Sequence, residues 1–229
     1  MVSKKLSKIP YICSKIEDIM IHIGYGKAHF PYIIKDETHY IDRTDYIERL
    51  EKSRESYVIF LRPRRFGKSL WVSILRHYYG VQYKDQFQTL FGKYYIGKNP
   101  TAAANTHLIL SFDFSGIDAE TKDTVYADFL EKVRSSVDLF LTQYNAFFSQ
   151  KDAEYVLSTT KPNILISRLF ELMKKKAPHE KIYLLIDEYD HFANQLMAYQ
   201  LNDFKEIVSK AASCGCFTKH LKRQQWTAL

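Results

Sequence analysis

Hydrophobic residues are arranged along this chain in two ways, as short continuous runs and at helical spacing. The runs at residues 57–61, 107–114 and 181–186 have the length and the β-branched or aromatic content of buried strands. Between the runs, apolar residues recur every three or four positions, which predicts amphipathic helices. Strands that alternate with helices predict a doubly wound α/β fold, with a mainly parallel sheet and ligands at the carboxyl ends of its strands.

The stripes of apolar residues predict three helices. One follows the first strand, one covers about residues 119–150, and one begins near Pro162 and precedes the last strand. The stripes consist of Leu70, Ile74, Leu75 and Tyr78; of Val125, Phe129, Val133, Val137 and Phe140; and of Leu165, Leu169, Leu172 and Met173.

The N-terminal segment shows weaker patterns. Residues 16–23 predict a short amphipathic helix, and residues 32–34 and 38–41 predict short strands. The polar residues that follow predict a turn into a helix capped by Thr44 or Asp45.

The turn after residues 57–61 has the composition of a phosphate-binding loop. Gly67, Lys68 and Ser69 stand where a strand gives way to a helix, so backbone N–H groups and the helix dipole converge on one point. In the general pattern G-x-x-x-x-G-K-[ST], Lys68 reaches the β- and γ-phosphates and the Ser69 hydroxyl binds Mg²⁺. The pattern is incomplete, because Arg62 occupies the position of the first glycine. The predicted nucleotide ligands are Arg62, Pro63, Arg64, Arg65, Phe66, Gly67, Lys68, Ser69 and Leu70.

The last apolar run ends in two carboxylates, Asp187 and Glu188. This is the composition of a Walker B element, in which Asp187 would hold Mg²⁺ through its water shell and Glu188 would polarise the attacking water. Together with Ser69 as the second metal ligand, the two motifs predict a site for ATP and Mg²⁺. In such folds the segment before the first strand often lies over the base, which is one interpretation of residues 40–46; a purely structural role is the other.

Four segments of the chain resemble a known family, the bacterial AAA-ATPase-like proteins, which usually carry a PD-(D/E)XK nuclease-like region further along. The segments are YIDRTDYI (residues 40–47), LRPRRFGKSL (61–70), FDFSGI (112–117) and IDEYDHF (186–192). The family's own loop has the sequence RPRRFGKS, so Arg62 resembles a family feature. The resemblance covers about residues 8–210. It implies a P-loop NTPase-type three-layer αβα sandwich, ATP hydrolysis and a bacterial protein. The N-terminus has the basic start of a signal peptide but no apolar stretch after it, so we expect a cytoplasmic protein.

The resemblance also implies that the sheet is incomplete. We divide the chain into an N-terminal extension packed near the nucleotide site (1–50), a partial P-loop core (51–210) and a basic tail unlike the family (211–229). By the resemblance, the strand order is 5-1-4-3-2, and no apolar strand for position 4 follows residue 210. The strands at residues 57–61 and 182–186 would then either pair directly or leave a marginally stable fragment, because unpaired buried backbone groups are costly.

Composition excludes several classes of protein. The chain has 229 residues, of which 46% are hydrophobic and 15% aromatic, as in globular domains. No stretch approaches eighteen consecutive apolar residues, so we expect no membrane span. The 3 cysteines, Cys13, Cys214 and Cys216, lack the spacing of a disulfide framework or a zinc site, which favours reduced thiols.

The net charge of +7 leaves a nucleic-acid partner open, although this fragment does not specifically indicate one. The positive charge is divided between the predicted phosphate loop, residues 174–176 at a helix end and the tail at residues 219–223. The first group is explained by nucleotide and the second by the helix dipole. The oligomeric state is not indicated.

A nuclease motif competes for Asp113. Asp113 with Glu120 and Lys122 fits the order D…(D/E)-x-K, but that chemistry requires Glu120 and Lys122 on a strand, and residues 119–123 predict a helix start. The histidines show no paired ligand spacing. His191, beside Asp190 and just after Glu188, has two interpretations: it faces the γ-phosphate, or, as we favour, it has a surface or packing role. Three hypotheses therefore remain: an ATP-hydrolysing P-loop domain, a truncated non-catalytic remnant or nucleotide-sensing module, and, more weakly, a nucleic-acid-associated protein.

Overall fold

A computed structural model describes residues 24, 26–55, 57–63, 65–117 and 121–189. Several sequence-based expectations lie outside these residues. They are the helix at residues 16–23, the ligand Arg64, the acidic Glu120, His191, the three cysteines and the basic tail. Within the described part of the chain, no helix is both long and apolar enough to cross a membrane.

The described residues form short N-terminal helices, a central strand pair and a group of longer helices. The N-terminal helices are α1 (Phe30–Lys35), α2 (Asp45–Ser53), α3 (Lys68–Tyr79), the 3₁₀ helix η1 (Val81–Gln86), α4 (Phe87–Phe91) and α5 (Tyr95–Lys98). Strand β1 (His107–Asp113) is followed by α6 (Lys122–Gln143), α7 (Gln150–Leu157), α8 (Pro162–Lys176) and strand β2 (Lys181–Asp187). The chain is therefore a mixed α/β protein, as the sequence predicts.

Strands β1 and β2 pair in parallel, with His107 opposite Lys181 and Asp113 opposite Asp187. The crossover between them consists of α6, α7 and α8, as a parallel connection requires a long return path. Because the register is unbroken, both strands end at the same edge, and their terminal carboxylates lie side by side.

Helices cover both faces of β1, because alternate residues of a strand point to opposite sides. Leu108, Leu110 and Phe112 pack into one core with the apolar stripes of α6 and α8. Ile109 packs into a second core on the other face, with residues of α1 to α5 and Leu185 of β2. The predicted stripes of α3, α6 and α8 are confirmed, since their members are buried except for the partly buried Leu70.

The predicted buried strand at residues 57–61 is wrong. These residues belong to no strand, and the only sheet among the described residues is the pair of β1 and β2. The exposed fractions are 47% for Tyr57, 55% for Val58, 58% for Ile59, 38% for Phe60 and 74% for Leu61. The physical reason is that a strand forms only beside a neighbour that satisfies its backbone groups, and neither β1 nor β2 pairs with this segment. Direct pairing of residues 57–61 with β2 is therefore not seen, and the full P-loop sandwich stays an expectation.

The N-terminal segment differs from its predicted structure in two places. Residues 32–34 belong to α1 and not to a strand, because Pro31 suits the first helical turn and Phe30 is fully buried in the second core. Residues 38–41 form no strand either. The helix after residue 44 is confirmed as α2, but its predicted side-chain cap is absent: the Thr44 hydroxyl accepts a hydrogen bond from the backbone N–H of Ile96 at 3.1 Å.

Helix α6 begins at Lys122 and is capped by Thr121, whose hydroxyl accepts a hydrogen bond from the backbone N–H of Thr124. Lys122 therefore lies on a helix and not on a strand beside Asp113, which disfavours the nuclease motif. The helix ends at Gln143, earlier than predicted, and a second capping box at Ser149 starts α7.

Candidate functional site

The loop before α3 has a backbone suited to an anion. The backbone N–H of Phe66 donates to the carbonyl of Pro63 at 3.3 Å, which closes a turn. Arg65 and Gly67 then take positive φ values of 66° and 77° on either side of Phe66. Such alternation turns successive backbone N–H groups toward one side, where they can bind phosphate oxygens. Gly67 is needed here, because residues with a Cβ rarely adopt its left-handed conformation.

Lys68 is the first residue of α3 and opens onto a cleft of about 300 Å³. The cleft is lined by Phe60, Leu61, Arg62, Pro63, Lys68 and Tyr189. The guanidinium of Arg62 lies over the ring of Phe60, 5.3 Å from its centroid. Three of the predicted nucleotide ligands, Arg62, Pro63 and Lys68, therefore share one cleft with apolar side chains.

Ser69 opens onto a second cleft, of about 320 Å³. Its lining residues are Ala28, His29, Ser69, Val72, Ser73, Arg76 and Asp187. This cleft brings together Ser69 and Asp187, the two residues predicted to bind Mg²⁺, although they are far apart in the sequence. The N-terminus of α3 thus separates two clefts, with Lys68 on one side and Ser69 on the other.

Three carboxylates lie at the carboxyl edge of the strand pair. Asp113 and Asp187 are register partners, and Glu188 follows directly. The backbone N–H of Glu188 donates to Asp187 Oδ1 at 3.0 Å, and the N–H of Phe114 donates to the Asp187 carbonyl at 3.2 Å. Glu188 has a φ of 53°, a costly conformation for a residue that is not glycine. The chain therefore turns at Glu188, and the backbone N–H of the same residue holds the Asp187 carboxylate in place.

The donor atoms suit Mg²⁺, a hard cation that prefers oxygen ligands. Ser69, with its hydroxyl, and Asp187, with its carboxylate, line the same cleft. No group of three or more His, Cys, Asp or Glu that could hold a metal exists among the described residues. This is compatible with Mg²⁺ in nucleotide sites, where one or two protein ligands are completed by phosphates and water.

Four of the predicted nucleotide ligands lie outside both clefts. Arg65, Phe66, Gly67 and Leu70 line neither, and Phe66 is 63% exposed. Residues 40–46 also line neither cleft; the carboxylate of Asp42 accepts the backbone N–H of Tyr95 at 2.7 Å, which favours the structural interpretation of this segment.

Sequence reasoning missed three polar residues of the second cleft, His29, Ser73 and Arg76. Arg76 follows Ser69 by two helical turns, so the two residues lie on the same face of α3. This spacing could have indicated Arg76 from the sequence, but only the apolar face of the helix was considered. His29 had no such signal, because it reaches the cleft through the packing of α1 on α3. Burial, and secondarily the nearby charge of Arg76, lowers the pKa of His29, which favours the neutral imidazole.

Comparison with protein families gives a match to the AAA-ATPase-like family, described as a predicted AAA-ATPase, over residues 24–225. The match runs past residue 210 and therefore does not show a truncation there. Comparisons with curated proteins and with solved structures give no significant match. Because the family match covers most of the chain and includes both the phosphate loop and the carboxylates beside it, this protein belongs to the AAA-ATPase-like family.

Proposed function

We propose that this protein binds ATP with Mg²⁺ at the N-terminus of α3 and hydrolyses it. The observation that carries the proposal is the second cleft, where Ser69 of α3 and Asp187 of β2 line one space. Family membership supports nucleotide binding at a coarser level.

Each residue has a distinct role in this proposal. The backbone N–H groups at the start of α3 and the Lys68 ammonium would bind the β- and γ-phosphates. Ser69 and Asp187 would hold Mg²⁺, which would neutralise phosphate charge during phosphoryl transfer. Glu188 would accept a hydrogen bond from the attacking water and orient it in line with the terminal phosphate.

Calorimetry and a phosphate-release assay test the proposal on the full chain. We expect saturable ATP binding in the presence of Mg²⁺ and a rise in melting temperature with nucleotide, because a ligand that binds only the folded state stabilises it. Lys68→Ala should abolish binding, whereas Lys98→Ala, at an exposed position of α5, should not. Absence of binding by the folded wild-type chain would refute the proposal.

Glu188→Gln separates hydrolysis from binding. The substitution keeps the size of the side chain and removes its negative charge, so we expect ATP affinity to persist and phosphate release to fall by about a hundredfold or more. Equal phosphate release by the wild type and by Glu188→Gln would contradict the catalytic role. Binding with no turnover in the wild type would favour the alternative, a nucleotide-sensing module or remnant, which accords with a described sheet of only two strands.

A further inference from the structure

Arg76 carries a positive charge that the described residues do not neutralise. Its terminal nitrogen Nη2 donates to the Ser111 hydroxyl at 2.6 Å. Its Nε is buried without a hydrogen-bond partner, and no carboxylate of the described chain forms an ion pair with it. A half-buried cation with an unused donor is costly unless an anion satisfies it. Arg76 lines the second cleft, so this anion would lie there.

The position of Arg76 on α3 relates this anion to the proposed nucleotide. Ser69, Val72, Ser73 and Arg76 lie on one face of the helix and all line the cleft. Ser69 and Arg76 are separated by about 10 Å along the axis, and helical side chains lean toward the N-terminus, which shortens this distance. The guanidinium is also held against β1 through Ser111, on the same strand that ends beside Asp187.

His29 also lines the cleft. The backbone N–H of the next residue, Phe30, donates to the Ser73 hydroxyl at 3.0 Å and holds this segment against α3. The His29 ring packs edge-on against the His77 ring, with ring centroids 5.3 Å apart. The centroids of the His29 and Tyr32 rings are 4.6 Å apart. These contacts hold the imidazole in place beside the cleft that Arg76 also lines.

We propose that Arg76 and His29 recognise the terminal phosphate of the Mg²⁺-bound nucleoside triphosphate, so that this protein distinguishes triphosphate from diphosphate. The proposal rests on the proposed function. Lys68 would approach the phosphates from the other cleft, and on the metal side of the site, at Ser69 and Asp187, the nearby cation is Arg76. Ser69 and Asp187 would hold Mg²⁺, which would supply charge neutralisation to the phosphates, and Arg76 and His29 line the same cleft beside them. There the guanidinium would supply charge-assisted hydrogen bonds that a diphosphate cannot reach.

The test compares the affinities of ATP and ADP, each with Mg²⁺, by calorimetry on the full chain. For Arg76→Gln we expect ATP affinity to fall by about tenfold or more while ADP affinity changes by less than about twofold. Arg76→Lys keeps the charge without the planar donors and should lose less. His29→Gln should lower the preference for ATP severalfold. Matched controls on exposed surfaces, Arg49→Gln on α2 and His39→Gln, should leave the ratio unchanged.

The outcomes separate this inference from the proposed function. If Arg76→Gln lowers ATP and ADP affinity equally, or leaves both unchanged, the inference is wrong and the proposed function stands. If Arg76→Gln does not melt cooperatively, Arg76→Lys and His29→Gln decide, and an unchanged ratio in both contradicts the inference. If the wild-type chain binds neither nucleotide, the proposed function fails and the inference fails with it.

Discussion

At the scale of single residues, His77 shows how the second core acts on a titratable group. The side chain is 3% exposed, and its Nδ1–H donates to the Ser73 carbonyl at 2.7 Å. Positive charge on the neighbouring His29 and Arg76 side chains would repel a positive charge on the His77 ring. Burial, more than these charges, lowers the pKa of His77 to about 4, from an ordinary value of 6.5. The folded protein therefore holds this imidazole neutral in mildly acidic solution.

We predict that protonation of His77 contributes to acid destabilisation. Because the folded pKa is below the unfolded one, the unfolded state binds more protons between pH 6.5 and about 4, and stability falls as the pH falls through this window. The loss should be about 3 kcal/mol between pH 7 and pH 4. Urea unfolding at pH 7 and pH 4 measures it.

The comparison variant for this prediction is His77→Phe, which removes the titrating group and fills the same buried space. Other groups still titrate in this variant. The difference between the wild type and His77→Phe in the pH dependence of the free energy of unfolding therefore isolates the contribution of His77. Parallel curves for the wild type and for His77→Phe would show that His77 does not contribute.

At the scale of elements, the exposed apolar segment 57–61 is the strongest disagreement between local pattern and structure. The pattern predicts a buried strand, whereas Leu61 is 74% exposed and Leu110 of β1 is 1% exposed. The difference arises because β1 has a partner in β2 and helices on both faces, while no described element pairs with residues 57–61. The helices α3, α6 and α8 were predicted correctly, because an apolar stripe is a signal within one element.

A matched pair of substitutions tests this difference. Leu61→Ala should change the free energy of unfolding by less than about 0.5 kcal/mol, because the side chain is already in water. Leu110→Ala should cost about 2 to 5 kcal/mol, through lost burial and the cavity left behind. Denaturant unfolding of both variants measures the two values. A cost for Leu61→Ala as large as that for Leu110→Ala would show that residues 57–61 are buried in solution.

At the scale of the whole molecule, Tyr144 connects the two cores. Its ring belongs to the core that contains α6. Its hydroxyl accepts a hydrogen bond of 2.8 Å from the backbone N–H of Ile109, and the Ile109 side chain lies in the other core. The same hydroxyl donates to Gln82 of η1 at 2.8 Å. Tyr144 thus satisfies a backbone donor of β1 that β2 does not use.

We predict that Tyr144→Phe destabilises the protein by about 1 to 3 kcal/mol, because it leaves the buried N–H of Ile109 unsatisfied. Thermal and denaturant unfolding measure this loss. Tyr155→Phe, at a ring that is 52% exposed on α7, removes a hydroxyl in water and should be nearly neutral. Equal stability of Tyr144→Phe and the wild type would mean that water or another group replaces the hydroxyl.

The sequence alone determined the elements and motifs whose signals are local. The stripes of α3, α6 and α8, the strands β1 and β2, and the positions of Lys68, Ser69, Asp187 and Glu188 at element ends all follow from spacing and from chain order. A resemblance carried by those same motifs was enough to indicate the family.

Only the tertiary structure decided what these elements build. It placed Ser69 and Asp187 in one cleft, added His29 and Arg76 to that cleft, and left residues 57–61 outside the sheet. The physical reason is that a helix needs only its own residues to satisfy its backbone, whereas a strand and a cleft depend on partners distant in sequence. Which partners meet is set by packing, and a pattern of neighbouring residues does not contain that information.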